Sequence, residues 1–580
     1  MTPERTITDA LPSLVTVSCF PDNTKKSDLD DCSPTSSVFT EMKTANFLTR
    51  ETTSPRQLST ARLLIVHIGA AMALFLATTD ATIVSTSLPT IVNELHATQT
   101  QYTWVGVAYL LTQTAFQPLY GRLSDLVGRK PILYGSITIF ALGSLLCGVA
   151  QNIIWLISAR ALAGIGGGGI VSSVWVVTSE IVEVAHRAKW SQALSITWCC
   201  SAIAGPLLGG LFSGQHNGLS WRWAFYLNLP ICLIALMILL CALHSVDFPR
   251  LVSWHTFAQR FDFGGLLLFM FGSGFIIAGF SFATVNTWAS PSTLCFIIFG
   301  FIILVCGVWY EKKTARDCLF PETTFKDLTT VMILLISFLH NFAFNAGTFY
   351  LAIYYQAANG STPFHAGIKM LPYSLGSSLA SMPAAWFINI WQLKTGDTSG
   401  QNLIITIGLL LSTLGFGLLM LLNEHAKMYT QVVFPVIAGV GIGMVFHAPY
   451  QVFTRALKPH EIATGTSAFF LVRFTGATMG LAVAGTVFSA KVTAQLPQDV
   501  SSQILQSVIP YSDLRMLQPT SLGNHVLHAV SQAVQTVWIV CSPCLGLASI
   551  MSLLIRRMAI DASADDKSID SARTTSKDQA

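Results

Sequence analysis

An aspartate and an arginine set deep inside apolar stretches offer the most chemistry in this 580-residue chain. Asp80 stands in Thr-Asp-Ala-Thr-Ile-Val-Ser-Thr-Ser-Leu-Pro, with Val84 and Ser87 following on the same face at helical spacing. Arg160 stands well inside a second stretch, Leu-Ile-Ser-Ala-Arg-Ala-Leu-Ala-Gly-Ile-Gly-Gly-Gly-Gly. An ionised side chain in the middle of a membrane helix costs roughly 2.5–3.5 kcal/mol on insertion scales, so each needs a partner or a polar cavity. A desolvated carboxyl becomes easier to protonate, and a permanently charged guanidinium nearby favours its deprotonation. Proton coupling is the chemistry such a pair can do, with Asp80 facing a polar cavity. The competing reading is structural: Asp80 hydrogen-bonded to a neighbouring helix and Arg160 anchoring the bundle.

Other candidates lead less far. Gly164, Gly166 and Gly169 spell G-x-G-x-x-G, but no strand precedes them, so the glycines are expected to let helices approach closely rather than to hold a dinucleotide. Cys541 and Cys544 form C-x-x-C inside an apolar stretch without a His or a second Cys pair beside them, and read as packing residues. His67, His340 and His447 lie within apolar stretches as isolated side chains, which makes neither a metal site nor a relay. No cofactor or metal is expected.

The elements that must carry these residues are set by composition. The chain is 52% hydrophobic and 11% charged, with mean hydropathy +0.57, against about 25% charged residues in ordinary soluble domains. That excludes an ordinary soluble enzyme. Backbone groups in lipid must pair within their own segment, which dictates helices. Windows of about 20 apolar residues place fourteen spans near 62–87, 102–120, 131–150, 153–177, 190–213, 223–243, 263–283, 293–310, 328–351, 366–389, 402–422, 431–450, 463–489 and 533–555. The short loops after even-numbered spans carry fourteen Lys and Arg, whereas those after odd-numbered spans carry only Arg222 and Lys427. The positive-inside rule then puts both termini in the cytoplasm. The net charge of +4 reflects this topology and not a nucleic-acid partner. None of the 12 cysteines falls in an external loop, so no external disulfide framework is expected.

Residues 1–61 and 556–580 are polar and are expected to be cytoplasmic tails. Spans 1–6 cover residues 62–243, spans 7 and 8 with their flanking loops cover 244–327, and spans 9–14 cover 328–555. A long external connection is expected at about 490–532. Asn359-Gly360-Ser361 reads as a glycosylation acceptor on an external loop.

The stretch between the second and third spans, Tyr-Gly-Arg-Leu-Ser-Asp-Leu-Val-Gly-Arg-Lys-Pro-Ile-Leu, packs Gly121, Asp125, Gly128, Arg129 and Lys130 into one turn. It resembles motif A of the major facilitator superfamily. Arg160 resembles the basic residue of that superfamily's motif B. In the fifth span, Gly205, Pro206, Gly209 and Gly210 resemble the antiporter motif, motif C, with Ser201 where that motif usually has glycine. Further likeness lies in Trp221–Pro230, in Tyr354-Tyr355-Gln356, in Ala366–Pro372, and in Ala468–Arg473 with Gly476 and Gly480. Together these resemble the fourteen-span drug:proton antiporter branch, particularly fungal toxin and metabolite efflux members, over residues 62–555.

The resemblance implies an all-α membrane protein of two six-helix bundles plus two central helices, with substrate at mid-depth between the bundles. Candidate lining residues are Tyr109, Gln113 and Gln117 on span 2 and Asn341, Asn345 and Tyr350 on span 9; each has the alternative of an interhelical hydrogen bond. The implied gating set is Gly121, Asp125, Gly128, Arg129 and Lys130 of motif A, Gly205, Pro206, Gly209 and Gly210 of motif C, and Arg473. The implied function is proton-coupled export of amphipathic organic compounds by a monomer, with small molecules, protons and the lipid bilayer as its partners, in the plasma membrane or else the vacuolar one. A nutrient importer on the same fold and a transport-dead receptor are the alternatives.

Overall fold

Helix propensity, apolar length and internally paired backbone produce an all-helical chain. The computed structural model describes residues 59–558 except 96, 98, 183–186, 214–219, 245, 247–260, 286–287, 315, 317–318, 358–359, 459–460 and 506–519. The expected tails and Asn359 therefore lie outside the described residues, apart from the few tail residues from 59 to 61 and from 556 to 558.

The first group of helices comprises α1 (Thr60–Glu94), α2 (Gln99–Val127), α3 (Arg129–Gly148), α4 (Ile153–Ile181), α5 (Arg187–Phe212), α6 (Trp223–Tyr226) and α7 (Asn228–Leu243). Next come α8 (Phe263–Val285), α9 (Pro291–Lys313) and the short α10 (Glu322–Lys326). The remainder are α11 (Leu328–Ala357), α12 (Pro363–Lys369), α13 (Leu371–Thr395), α14 (Ser399–Leu419), α15 (Met428–Met444), α16 (Ala448–Ala456), α17 (Ile462–Gln495), α18 (Gln498–Leu505) and α19 (Thr520–Ser552). Helix stands at every one of the fourteen expected spans.

Eleven of these helical stretches are long and apolar enough to cross a membrane. The other three spans are α2, α5 and α13. Hydropathy is diluted on α2 and α13 by residues turned inward, such as Gln113 and Gln117 on α2 and Ser374, Ser377, Ser378 and Ser381 on α13, all buried, whereas the apolar part of α5, Ile196–Phe212, is shorter than a full span. The two helices that hold the centre, α4 and α17, have 83% of their apolar window buried, against 17% for α9. The outward faces of α8 and α9 are rows of exposed Phe, Ile, Leu and Val, the surface a lipid-facing helix needs.

Within the first group α1 packs on α5 and α7, and α4 on α2 and α3. Within the last group α13 and α14 pack on α15, and α11 and α14 on α19. The groups meet mainly along α2 and α17, and α8 leans on both of those helices. The α4 glycines explain how it fits between two neighbours. A Cβ at Gly164 would lie 2.3 Å from the Tyr109 carbonyl oxygen of α2, and one at Gly166 would lie 2.3 Å from the Phe140 nitrogen of α3. Close approach is the role the sequence suggests for them.

The connection at 490–532 is shorter than the apolar pattern predicts. Here α17 continues to Gln495 and α19 begins at Thr520, because helix outlasts the apolar stretch and its polar ends bond to one another. Gln495 Nε2 donates to Gln532 Oε1 at 2.5 Å, and Gln535 Nε2 to the Leu422 carbonyl at 2.8 Å.

Candidate functional site

The side of the molecule carrying Arg129 and Lys130 is called the basic end below. There Gly128, at φ +107°, turns the chain from α2 into α3, a conformation that side chains resist. The turn aims Arg129 at α4: Nε and Nη2 reach Glu180 Oε1 at 2.8 and 2.6 Å, and Nη1 donates to Ser124 Oγ at 2.5 Å. Ser124 in turn donates to the Gly121 carbonyl, and Lys130 Nζ to the His244 carbonyl at the end of α7. The motif thus ties together four helix ends. Glu180 is a partner that sequence reasoning missed. The side chain of Asp125 lies outside the described residues.

At mid-depth Asp80 and Arg160 form an ion pair between α1 and α4, each at most 1% exposed. Arg160 Nη2 donates to the Asp80 carbonyl and Nε to the Val105 carbonyl, both at 3.3 Å. Asn228 of α7 donates to Asp80 Oδ1 at 3.3 Å and to Ser144 Oγ of α3 at 3.1 Å. The Tyr109 ring lies 4.4 Å from the guanidinium, and its hydroxyl donates to the Ala77 carbonyl at 2.7 Å. Asp80 therefore does not face a cavity in this state. Arg160 neutralises it inside the first bundle, which removes the need for water beside the charge. Tyr109 serves this pair instead of lining the cavity, and Asn228 was missed because an Asn in a membrane helix has no distinctive spacing.

The cavity lies on the adjacent face of α1. Ala77, Thr78, Ala81 and Thr82 line it, with Leu110 and Gln113 of α2, Trp198 and Ser201 of α5, Asn341, Phe344 and Asn345 of α11, Phe446, and Phe474 and Ala477 of α17. Gln113, Asn341 and Asn345 are thus brought together in one lining. Gln117 is fully buried outside this lining, and Tyr350 lines a separate cavity of about 20 Å³ against Phe349 and Leu481. The aromatic walls Trp198, Phe446 and Phe474 were missed, since a lone ring in an apolar span reads as core.

The central cavity encloses about 40 Å³, room for roughly three waters. Helices close on both sides of it. Toward the basic end, Trp175 of α4 meets Tyr450 and Phe470 at ring separations of 5.2 and 5.7 Å. Toward the other end, α5 meets α12: a Cβ at Gly210 would lie 2.6 Å from the Pro363 oxygen, and one at Gly367 would lie 2.8 Å from the Pro206 oxygen. On its other face α5 lies against α1, where Thr86 Oγ1 donates to the Pro206 carbonyl at 2.9 Å. Gly205 and Gly209 allow that contact. Arg473 of α17 reaches the cavity wall, its Nε donating to Asn341 Oδ1 at 3.1 Å.

Two groups of membrane-length helices around a mid-depth cavity walled by aromatic and amide side chains are the architecture an alternating-access transporter needs. Comparison with known proteins agrees. The profile of the Major Facilitator Superfamily matches residues 70–288. An uncharacterised transporter of Schizosaccharomyces pombe is 32% identical over 86% of this chain and 82% of its own. Efflux pump dotC of Dothistroma septosporum is 31% identical over 80% and 77%, and efflux pump FUS6 of Gibberella fujikuroi is 28% identical over 86% and 90%. Among solved structures, a bacterial homologue of the human lysosomal transporter Spinster, inward-facing and unoccupied, superposes with a TM-score of 0.59 at 14% identity over 86% of this chain and 99% of that one. The chain belongs to the Major Facilitator Superfamily. It is an integral multi-pass membrane transporter of small molecules and not an enzyme.

Proposed function

We propose that this transporter is a proton-coupled exporter of amphipathic organic compounds, acting as a monomer in the plasma membrane with its basic end in the cytoplasm. One observation carries the reading. Helix α1 presents the Asp80–Arg160 pair on one face and four cavity residues, Ala77, Thr78, Ala81 and Thr82, on the next. Protonating Asp80 leaves the guanidinium without its counter-charge in a dry bundle core. Separating a buried pair costs about 3–5 kcal/mol, and a bias of that size shifts a two-state balance by roughly a hundredfold or more. A rigid α1 hands that bias to the cavity wall. The efflux-pump relatives and the closely packed Gly-Pro-x-x-Gly-Gly segment of α5 support export as the direction.

The test is Asp80→Asn in reconstituted vesicles under an imposed pH gradient. The amide keeps the shape and an acceptor for Arg160 but exchanges no proton. Uphill transport should vanish while downhill exchange persists; uphill transport at the wild-type rate would remove Asp80 as the coupling group.

A further inference from the structure

The electrostatics of the central cavity are lopsided. None of its described lining residues is Asp, Glu, Lys or Arg, yet a guanidinium stands directly behind the wall. Arg473 of α17, 5% exposed, touches three lining residues. Its Nε donates to Asn341 Oδ1 at 3.1 Å, and its guanidinium lies 4.7 Å from the Trp198 ring and 5.3 Å from the Phe446 ring. Asn341 is itself fixed, since Nδ2 donates to the Ser337 carbonyl at 2.9 Å.

The two rings belong to different bundles. Phe446 lies on the same side of the molecule as Arg473, whereas Trp198 belongs to α5 of the first bundle. A cavity of about 40 Å³ admits no organic substrate, so loading requires the bundles to part. Parting them would draw Trp198 off the guanidinium and leave Arg473, held to the Asn341 wall, at the face of the widened cavity. Trp198 carries a second donor: its indole N–H is buried and has no hydrogen-bond partner among the described residues. An arginine fork, an indole N–H and flanking rings, with no carboxylate in the lining, suit a flat anion and repel a cation.

We infer that the substrate class is planar organic anions, conjugated carboxylates or enolates, with the negative group on Arg473 and the ring system between Trp198 and Phe446. The inference rests on the export reading for its direction of transport. It has an energetic corollary. An anion leaving in exchange for one entering proton moves two charges along the membrane potential, so 100 mV supports roughly a 2,500-fold gradient, against about fiftyfold for a neutral substrate.

The probes are 9-anthracenecarboxylate, its methyl ester and 9-(aminomethyl)anthracene, three charges on one ring system. Their binding to the purified full-length protein in lipid nanodiscs is read by fluorescence polarisation. The acid should bind at least tenfold more tightly than the ester or the ammonium. Arg473→Gln should abolish that preference, and Arg473→Lys should keep it at weaker affinity. If Arg473→Gln does not fold, the wild-type series together with Arg473→Lys decides. Equal binding of acid and ester, a preference surviving in Arg473→Gln, a preference absent from folded Arg473→Lys, or no binding of any probe would each overturn the inference. Accumulation of the acid in inverted vesicles under a pH gradient is scored separately. Selective binding without driven accumulation overturns the export reading alone; accumulation of the ester as readily as the acid overturns this inference alone.

Discussion

Adding one methyl group to Gly205 or Gly209 tests whether the tight α1–α5 seam keeps the transporter from leaking. A Cβ at Gly205 would lie 2.0 Å from Thr82 Oγ1 and 2.9 Å from Thr82 Cβ. A Cβ at Gly209 would lie 2.1 Å from the Ile83 carbonyl oxygen and 2.4 Å from Thr86 Oγ1. The obstacles differ in kind. Thr82 can rotate its hydroxyl away, losing its hydrogen bonds to the Thr78, Thr79 and Ser201 carbonyls and leaving the 2.9 Å Cβ contact to be relieved by a slight helix shift, whereas at Gly209 the Ile83 carbonyl cannot move without the helix. Overpacking costs about 1–3 kcal/mol, so Gly205→Ala should fall near 1 and Gly209→Ala near 3, about fivefold and more than a hundredfold in the balance of packed and parted states. Gly205→Val, with a branched side chain, should resemble Gly209→Ala. Gradient-driven export, passive leak and membrane abundance are measured together, and Thr82→Ala is added to Gly205→Ala as a double-mutant cycle. Removing the threonine should restore at least half of the lost export. Normal export in Gly209→Ala at normal abundance, or a cycle with no coupling, would refute the seam argument and reopen the importer reading of the fold.

Three further outcomes are expected. Arg129→Ala should loosen the basic end by freeing α2 from α4, raising cysteine labelling of positions around Trp175; Glu180→Gln should do the same more weakly, because Glu180 is one-third exposed and solvent screens the pair. Asn228→Leu removes the donor to Asp80 Oδ1 and should lower thermal stability by about 1–2 kcal/mol, with the pH dependence of transport displaced; an unchanged melting point and pH profile would leave Asn228 as packing only. At the opposite end, burial raises the Glu424 carboxyl pKa, but hydrogen bonds from its own backbone and from His528 outweigh that and hold it below the ordinary 4.5. A lowered carboxylate pKa stabilises the folded state above about pH 4.5 and loses that contribution as pH falls through the lower folded value. Hydrogen exchange in residues 420–427 should therefore rise below pH 4.5 in the wild type and show no such step in Glu424→Gln.

Apolar length alone was enough to locate the fourteen spans, though not the short α10 and α18, because lipid leaves a backbone no other way to satisfy its polar groups. What it could not supply was the depth and direction of side chains. Asp80 and Thr82 are two residues apart, yet one enters a bundle core and the other a cavity wall, a distinction set by which neighbours α1 has on each side. The same geometry separates Gln113, which reaches the cavity, from Tyr109, which supports Arg160 a turn away. Gly164 and Gly166 were readable as close-contact residues since small side chains have few other uses in a span. Glu180, Trp198 and Asn228 were not readable, because each gains its role from a residue dozens of positions away.

The closed cavity also says where the molecule is least content. Toward the basic end, Gln117 of α2, Ser172 and Ser173 of α4 and Ser467 of α17 are all at most 3% exposed, and their side-chain polar atoms find no hydrogen-bond partners among the described residues. Each buried, unmatched polar group costs about 1–3 kcal/mol. Toward the other end the seam is closed by glycines against backbone, where Thr86 satisfies the Pro206 carbonyl and no comparable row of unmatched hydroxyls and amides occurs on α5 among the described residues. Water entering from the basic end would satisfy the unmatched groups at once, whereas parting α5 from α12 offers no such return. At these two seams, then, hydration favours opening toward the basic end, although Gln356, Ser489, Gln495 and Ser531 leave unmatched buried atoms toward the other end as well; in the export reading proposed above, the basic end is the loading side. In the proposed cycle, protonation of Asp80 is what drives the half that this hydration opposes.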